Sequence, residues 1–564
     1  MKVANDGSRR ARWQQSRARA LLAQEFRKQK RNEESHCGRA VGGVGEERRS
    51  LPPTSMNYGF VIDQRTCIGC HACTVACKEE NQVPLGVFRT WVKYVEKGTF
   101  PTTRRYFSVL RCNHCDAAPC VTICPTVALY RRPDGIVDFD GERCIGCKSC
   151  MQACPYDALY IDPSTNTAAK CHYCAHRIEV GLEPACVIVC PVQAIIAGDL
   201  DDPQSHIARL VATEQVQVRK AEQGTRPKVF YLGAETSALS PQLQQPAREY
   251  MWAQRPSAEV DLVDLVARAH ASDGHGDGAL ARPVYDVPHM PRPWGWRVSA
   301  YLWTKSIAAG ALLVAALGVL TGVEPGRFFG VAAPIVALLF LAITSGLLVL
   351  DLKRPDRFHY ILLKPNRTSW LVWGAWILLA YGLVGVLWLM GGLAGHGALL
   401  GWLTAPAIVL ACAAAGYSAW LFGQAEGRDF WQSPLLLPQL LVAALVAGAA
   451  SLLVIGFVGG ASIETLWGLG LLMTGALVLH AVTLLAELFG SHANLDTARA
   501  ARLITHGPWR RQFWLLTVVL GTLLPIVMMW VNPPAAAFGA LLALFGLWVY
   551  EDIWIKAGQS LPLS

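Results

Sequence analysis

The sequence predicts a two-part chain: a cysteine-rich α+β domain followed by an all-α bundle of eight transmembrane helices. Three observations predict it. Of 18 cysteines in 564 residues, all but Cys37 and Cys412 fall between Cys67 and Cys190 at short repeated spacings. Beyond Trp296 the chain becomes a series of long apolar runs. The composition as a whole, 52% hydrophobic and 16% charged, is too apolar for an ordinary soluble protein and the chain too long for one domain.

Residues 1–55 carry 13 Lys/Arg against 6 Asp/Glu, which leaves 38 against 36 for everything after them. The net charge of +9 therefore belongs to a tail and gives no ground for a nucleic-acid partner. The tail lacks an apolar segment of secretory-signal length, so Arg9-Arg10 is a poor export motif. A methionine at 56 precedes the strand-like Tyr58–Asp63, so 1–55 reads as a disordered basic extension or as an upstream choice of start. A cysteine domain at 56–235 follows, then a linker at 236–296 punctuated by prolines at 283, 288, 291 and 293.

The sixteen clustered cysteines form four groups: Cys67, Cys70, Cys73, Cys77; Cys112, Cys115, Cys120, Cys124; Cys144, Cys147, Cys150, Cys154; and Cys171, Cys174, Cys186, Cys190. The run C-x2-C-x2-C-x3-C-P is the bacterial ferredoxin arrangement, in which three thiolates hold one cluster and the fourth a neighbour. Sixteen ligands then make four [4Fe–4S] clusters. Structural zinc uses two short pairs parted by a longer loop, whereas groups one and three pack four cysteines into eleven residues. Ile-Gly precedes both Cys70 and Cys147, and Ala-Leu-Tyr follows both Cys124-Pro and Cys154-Pro. The domain reads as an internal repeat, a tandem dicluster of ferredoxin-like type.

On these residues the domain resembles the four-cluster electron-transfer subunit of the dimethyl sulfoxide and polysulfide reductase group. The resemblance implies interleaved ligand sets: Cys67, Cys70, Cys73 with Cys190; Cys77 with Cys171, Cys174, Cys186; Cys112, Cys115, Cys120 with Cys154; and Cys124 with Cys144, Cys147, Cys150.

The membrane domain at 297–564 contains eight runs near the ~20 residues that span a bilayer: about 298–323, 328–352, 370–390, 404–424, 435–459, 466–490, 513–531 and 535–555. Unalternated runs of this length are helices. Loops on the side of the cysteine domain carry Lys353, Arg354, Arg357, Lys364, Arg367, Arg428, Arg499, Arg502, Arg510, Arg511 and Lys556, and those on the far side only Arg327. Basic loops face the cytoplasm, which places the cysteine domain there, with the periplasmic side as the alternative. Ionisable residues within spans need a reason; Lys305, Asp351, Tyr417, His480 and Glu487 are the candidates, and His480 is placed near the midplane. One histidine well inside a span gives no basis for haem.

Ser306-Ile-Ala-Ala-Gly310, the segments 350–358 and 364–370, Gly416-Tyr-Ser-Ala-Trp-Leu421, Trp431-Gln-Ser-Pro434 and Gly558-Gln559 resemble the NrfD-type membrane subunit of polysulfide reductase. That resemblance implies a haem-free, quinone-reactive anchor in the bacterial inner membrane. Its quinone pocket, for menaquinone or ubiquinone, falls on Asp351 and Tyr417, with Lys305 beside them and His480 and Glu487 as second candidates. No nucleotide-binding glycine motif occurs in this chain, so a catalytic subunit is expected to be separate, and the resemblance implies that it is of molybdopterin type. The alternatives are a redox-driven proton-pumping subunit and a passive anchor.

Overall fold

The computed structural model describes residues 56–98, 101–245, 281–288 and 292–564. The basic tail and most of the expected linker lie outside the described residues. The cysteine domain is built on β1 (Tyr58–Asp63), whose Phe60, Val61 and Ile62 are completely buried. An apolar run with no alternation suits a strand covered on both faces. β1 pairs antiparallel with β8 (Ile195–Asp199) and parallel with β10 (Val229–Leu232), which carries the short β9 (Val216–Gln217) on its outer edge.

β2 (Thr90–Lys97) and β3 (Arg104–Arg111) form an antiparallel pair, and β11 (Ala281–Tyr285) adds to the free edge of β2. The stretch expected to be linker therefore supplies an edge strand, and its proline sits where no ladder bond is demanded of it. Two hairpins complete the domain: β4 (Leu129–Arg131) with β5 (Val137–Phe139), and β6 (Leu159–Ile161) with β7 (Ala168–Lys170). Each hairpin follows a short helix ended by Cys-Pro, Pro119–Ile123 before Cys124 and Ser149–Ala153 before Cys154. The internal repeat is thus structural: proline stops the helix after the last thiol and turns the chain into a strand.

Among the described residues seven helices are long and apolar enough to cross a membrane: α1 (Trp296–Leu320), α2 (Phe328–Asp351), α3 (Trp370–Leu393), α4 (Gly397–Gly423), α5 (Leu436–Val458), α6 (Ile463–Phe489) and α8 (Pro533–Gln559). Between the last two lies α7 (Gln512–Met528), a shorter apolar helix. Its first 12 residues, Gln512–Leu523, are π-wound, so the eighth expected span differs from an α-helix of standard length. It still carries the chain from one end of the bundle to the other. The helix Leu495–Thr505 before it bonds the cysteine domain through Asp496, and Gln559 at the end of α8 bonds the same domain.

The cysteine domain seats on one end of the bundle. Backbone N–H groups of Lys353 and Arg354, just past α2, donate to the carbonyls of Gly146 and Ile145 at 3.2 and 3.1 Å. Asn366 and Ser369 before α3, Arg428 after α4, Gln559 at the end of α8 and Trp294 before α1 also bond to it. Gly146 has φ +68°, and a Cβ there would strike Lys353, so the Ile-Gly before Cys147 is demanded by the close approach as well as by the turn. Four side chains of the basic loops, those of Arg354, Arg357, Arg428 and Arg499, are spent on this seat, bonding Thr165, Gly141, Gln152 and Gln242.

Candidate metal centres and membrane pocket

The structure gathers the sixteen cysteines into four quartets, each around a space of comparable size. Cys67, Cys70, Cys73 and Cys190 enclose about 310 Å³; Cys77, Cys171, Cys174 and Cys186 about 270 Å³; Cys112, Cys115, Cys120 and Cys154 about 310 Å³; and Cys124, Cys144, Cys147 and Cys150 about 380 Å³. The crossed pairing has a simple cause. In Cys73/Cys77, Cys120/Cys124, Cys150/Cys154 and Cys186/Cys190 the two thiols stand four residues apart, on one face of a helical turn, and reach two adjacent spaces.

The thiols surround these spaces without converging. Among the described residues no group of three or more His, Cys, Asp or Glu side chains could hold a single metal ion. All 17 cysteines there are free of disulfides. Four sulfur donors spread about a protected space fit an iron–sulfur cube and do not fit one zinc ion. Burial pushes the thiol of Cys73 up to about 11, those of Cys147 and Cys171 to about 12 and that of Cys154 to about 11. Metal binding would therefore displace protons from these sulfurs. Donors to sulfur are in place: Arg111 Nη1 to Cys186 at 3.2 Å, Ala168 N–H to Cys144 at 3.3 Å and Ala194 N–H to Cys190 at 3.2 Å.

The quartets form a row. Cys73 and Cys77 join the first to the second, Cys171 and Cys112 are electrostatic neighbours between the second and third, and the pairs Cys120/Cys124 and Cys150/Cys154 join the third to the fourth. Cys70 is exposed at one end of the row, beside the exposed Ile68 and Val75. The other end faces the membrane domain. There Asn366 donates to the Cys124 carbonyl at 2.8 Å, Arg357 to that of Cys144 at 3.2 Å and the Trp294 indole to that of Cys147 at 3.1 Å. Trp294 stacks on Trp431 at 5.5 Å, and Trp431 lies 5.8 Å from Trp554.

Inside the bundle, Lys305 on α1 is 1% exposed, and its ammonium donates to the Ala415 carbonyl at 2.7 Å and to Ser418 Oγ at 2.6 Å, both on α4. It lies 5.0 Å from the ring centre of Tyr417. Tyr301 shares the Ser418 hydroxyl at 2.9 Å. Gly374 on α3 makes room for the Tyr417 ring, because a Cβ there would overlap it. Lys305 and Tyr417 thus lie together. Asp351 does not join them. It ends α2 and pairs at 2.8 Å with Lys148, the residue after Cys147.

His480 and Glu487 line a second region. Glu487 accepts from Gln439 at 2.9 Å and from Tyr550 at 3.1 Å, and the His480 ring meets that of Tyr550 edge-on at 6.0 Å. A chamber of about 350 Å³ lies between α1, α5, α6 and α8, with His480, Tyr550 and Glu551 on its wall. Counted back from Phe489 at 1.5 Å per residue, His480 stands about 14 Å along α6, a depth like that of Lys305 counted from Trp296 on α1. The sequence does not single out Glu551, because the expected span stops at 555 and makes it look like an end residue. α8 continues to Gln559 and carries it two turns inside.

Comparison with known proteins gives three family matches: a 4Fe-4S binding domain at residues 65–81, a 4Fe-4S dicluster domain at 103–200, and polysulphide reductase, NrfD, at 286–560. The chain is 47% identical over 200 residues to a tetrathionate reductase subunit of Salmonella typhimurium, covering 35% of this chain and 79% of that protein. Protein NrfC of Escherichia coli K12 is 43% identical over 185 residues, 32% and 83% of the two chains. A polysulfide reductase chain of Wolinella succinogenes is 42% identical over 176 residues, 31% and 92%.

Proposed function

Because the chain belongs to the family of iron–sulfur electron-transfer subunits of reductase complexes, here continued into an NrfD-type multi-pass membrane domain, we propose that it carries electrons between a separate catalytic subunit and membrane quinone. The path runs through four [4Fe–4S] clusters. When bound, the clusters supply one-electron carriers, one held by each cysteine quartet. The row of four quartets, exposed at Cys70 and buried against the membrane domain at Cys124, is the observation that carries the reading. The exposed end, with Ile68 and Val75 beside Cys70, suits docking of the catalytic subunit. We assign that subunit to the molybdopterin type on the family resemblance; the relatives named as reductase subunits fit such a partner.

At the membrane end the protein's own residues do three things. Lys148 and Trp294 tie the last quartet to α2 and to the aromatic stack. Lys305 and the Tyr417 hydroxyl offer donors at one level of the bundle, which two carbonyl oxygens of a quinone need for their protons. The outer faces of α2, α3 and α4 are largely uncovered by the rest of the chain and meet lipid, while Lys305 and Tyr417 lie closed behind them. Sidedness follows the loop charges: with the four docking arginines set aside, seven basic residues remain on the near side against Arg327 on the far side, favouring a cytoplasmic iron–sulfur domain in the bacterial inner membrane.

The test uses the purified complex. Tyr417→Phe and Lys305→Met should lower quinone-linked turnover by ~10²-fold while dye-linked activity and iron content stay normal. Unchanged turnover with quinone would overturn the site.

A further inference from the structure

The chamber between α1, α5, α6 and α8 holds a carboxylate the quinone reading does not use. Glu551 is 6% exposed, and neither carboxylate oxygen has a hydrogen-bond partner among the described residues. Each packed element brings one polar group to its surroundings, Lys305 on α1, Gln439 on α5, His480 on α6 and Tyr550 on α8 itself, among the apolar Leu302, Leu440, Ala443 and Leu547. Glu487, by contrast, is bonded by Gln439 and Tyr550. Lys305 is held by a carbonyl and a hydroxyl, neither of them an anion, and the Glu551 carboxylate acts on it electrostatically without a bond. Burial out of contact with each other is costly to a cation and to a carboxylate alike. One proton shared between them removes both charges. The chamber is lined mainly by apolar side chains, with Gln439, His480, Tyr550 and Glu551 as its polar groups, and it has room for a water to connect them.

We propose that Glu551 is the internal proton carrier of the membrane domain, holding a proton in the chamber and delivering it to Lys305 for quinone reduction. The proposal rests on the quinone site at Lys305 and Tyr417. The step balances as quinone plus two electrons from the iron–sulfur domain plus two protons to give quinol. The shared proton passes from the Glu551 carboxylic acid to the Lys305 amine and from Nζ to a quinone oxygen, leaving a carboxylate and an amine. The carboxylate is reloaded from bulk water, and the second proton follows the same path. In the reverse direction the same groups accept protons from quinol.

The assembled complex, cycled between oxidised and reduced with quinone bound, is read by infrared difference spectroscopy in the carboxylic-acid stretch region. A band sensitive to deuterated water, absent in Glu551→Gln and moved in Glu551→Asp, is expected. Quinone-linked turnover should fall by ~10²-fold in Glu551→Gln, with affinity for a quinone analogue and iron content unchanged. Persistence of the band in Glu551→Gln, or normal turnover there, overturns the proposal. Where Glu551→Gln fails to assemble, Glu551→Asp decides: an unmoved band overturns it. Quinone-analogue binding in Tyr417→Phe and Lys305→Met separates the two ideas. Binding unaltered in both sinks the quinone site, while binding lost in both with a persistent band in Glu551→Gln sinks only the carrier.

Discussion

Lys148 stands in the left-handed backbone region at φ 64°, one residue after a thiol of the membrane-proximal quartet, with its ammonium 2.8 Å from Asp351. Both side chains are largely buried, 5% and 14% exposed. Such a pair contributes little net stability while intact, yet removing one partner strands the other charge at a cost of ~3–5 kcal/mol. Asp351→Asn should therefore loosen the seat of the cysteine domain on α2 and lower iron content at the last quartet. Lys148→Met combined with Asp351→Leu should restore it. Thermal dissociation and iron analysis check this, and an Asp351→Asn complex of normal stability would place the carboxylate's role elsewhere. Contacts of this kind are not legible in the sequence. Lys148 and Asp351 lie 203 positions apart, and only the docking of two domains makes them neighbours. Cysteine spacing is different, because its meaning is local: four residues along a helical turn set where each thiol points, so all sixteen are legible without the fold.

At the scale of the helix, α1 and α5 cross at Gly310 and Gly448, where a Cβ on either would strike the other helix's backbone. Small residues at a crossing let two helices approach within the membrane, where packing rather than the hydrophobic effect holds them. α1 also carries Lys305, so this crossing sets the spacing between Lys305 and the chamber beside α5. Gly448→Leu should abolish assembly of the membrane domain or lower its melting temperature sharply, whereas Gly475→Leu on α6, where a Cβ meets nothing, should be close to neutral. Glycine in an apolar helix announces a close approach only weakly, since both residues look alike in the sequence. Helix ends are equally obscure. Hydropathy stops where polar side chains begin, but α8 runs on past that point to Gln559, which bonds the cysteine domain, and this hides Glu551.

The helical turn also governs which quartet each cysteine serves. Cys190 reaches the quartet of Cys67, Cys70 and Cys73, although Cys171, Cys174 and Cys186 of its own group enclose the next space with Cys77. The intact protein should hold about sixteen irons. Cys190→Ser should disturb the signal of the exposed, solvent-end cluster, and Cys186→Ser that of its neighbour. Electron paramagnetic resonance during a redox titration distinguishes them. Loss of the same signal in both variants would mean that group four serves one cluster.

For the whole molecule the deciding fact is which face of the membrane carries the cysteine domain. Every second connection of the bundle, together with both flanks of the membrane domain at Trp294 and Gln559, meets that domain, so one sidedness measurement fixes all of it. The loop charges alone serve two purposes. Arg354, Arg357, Arg428 and Arg499 bond the cysteine domain and would be kept on either side of the membrane. The remaining bias still favours the cytoplasm, since short-loop Lys and Arg resist translocation. The far loop between α1 and α2 supplies the probe, because Glu324 is exposed there and touches none of the docking contacts. In intact spheroplasts, Glu324→Cys should react with a thiol reagent that cannot cross the membrane, while Leu85→Cys, at an exposed position of the cysteine domain, stays protected until the membrane is opened. Protection of the thiol introduced at position 324, alongside labelling of the one at position 85, would invert the molecule and would make the basic loops a docking device rather than a topological signal.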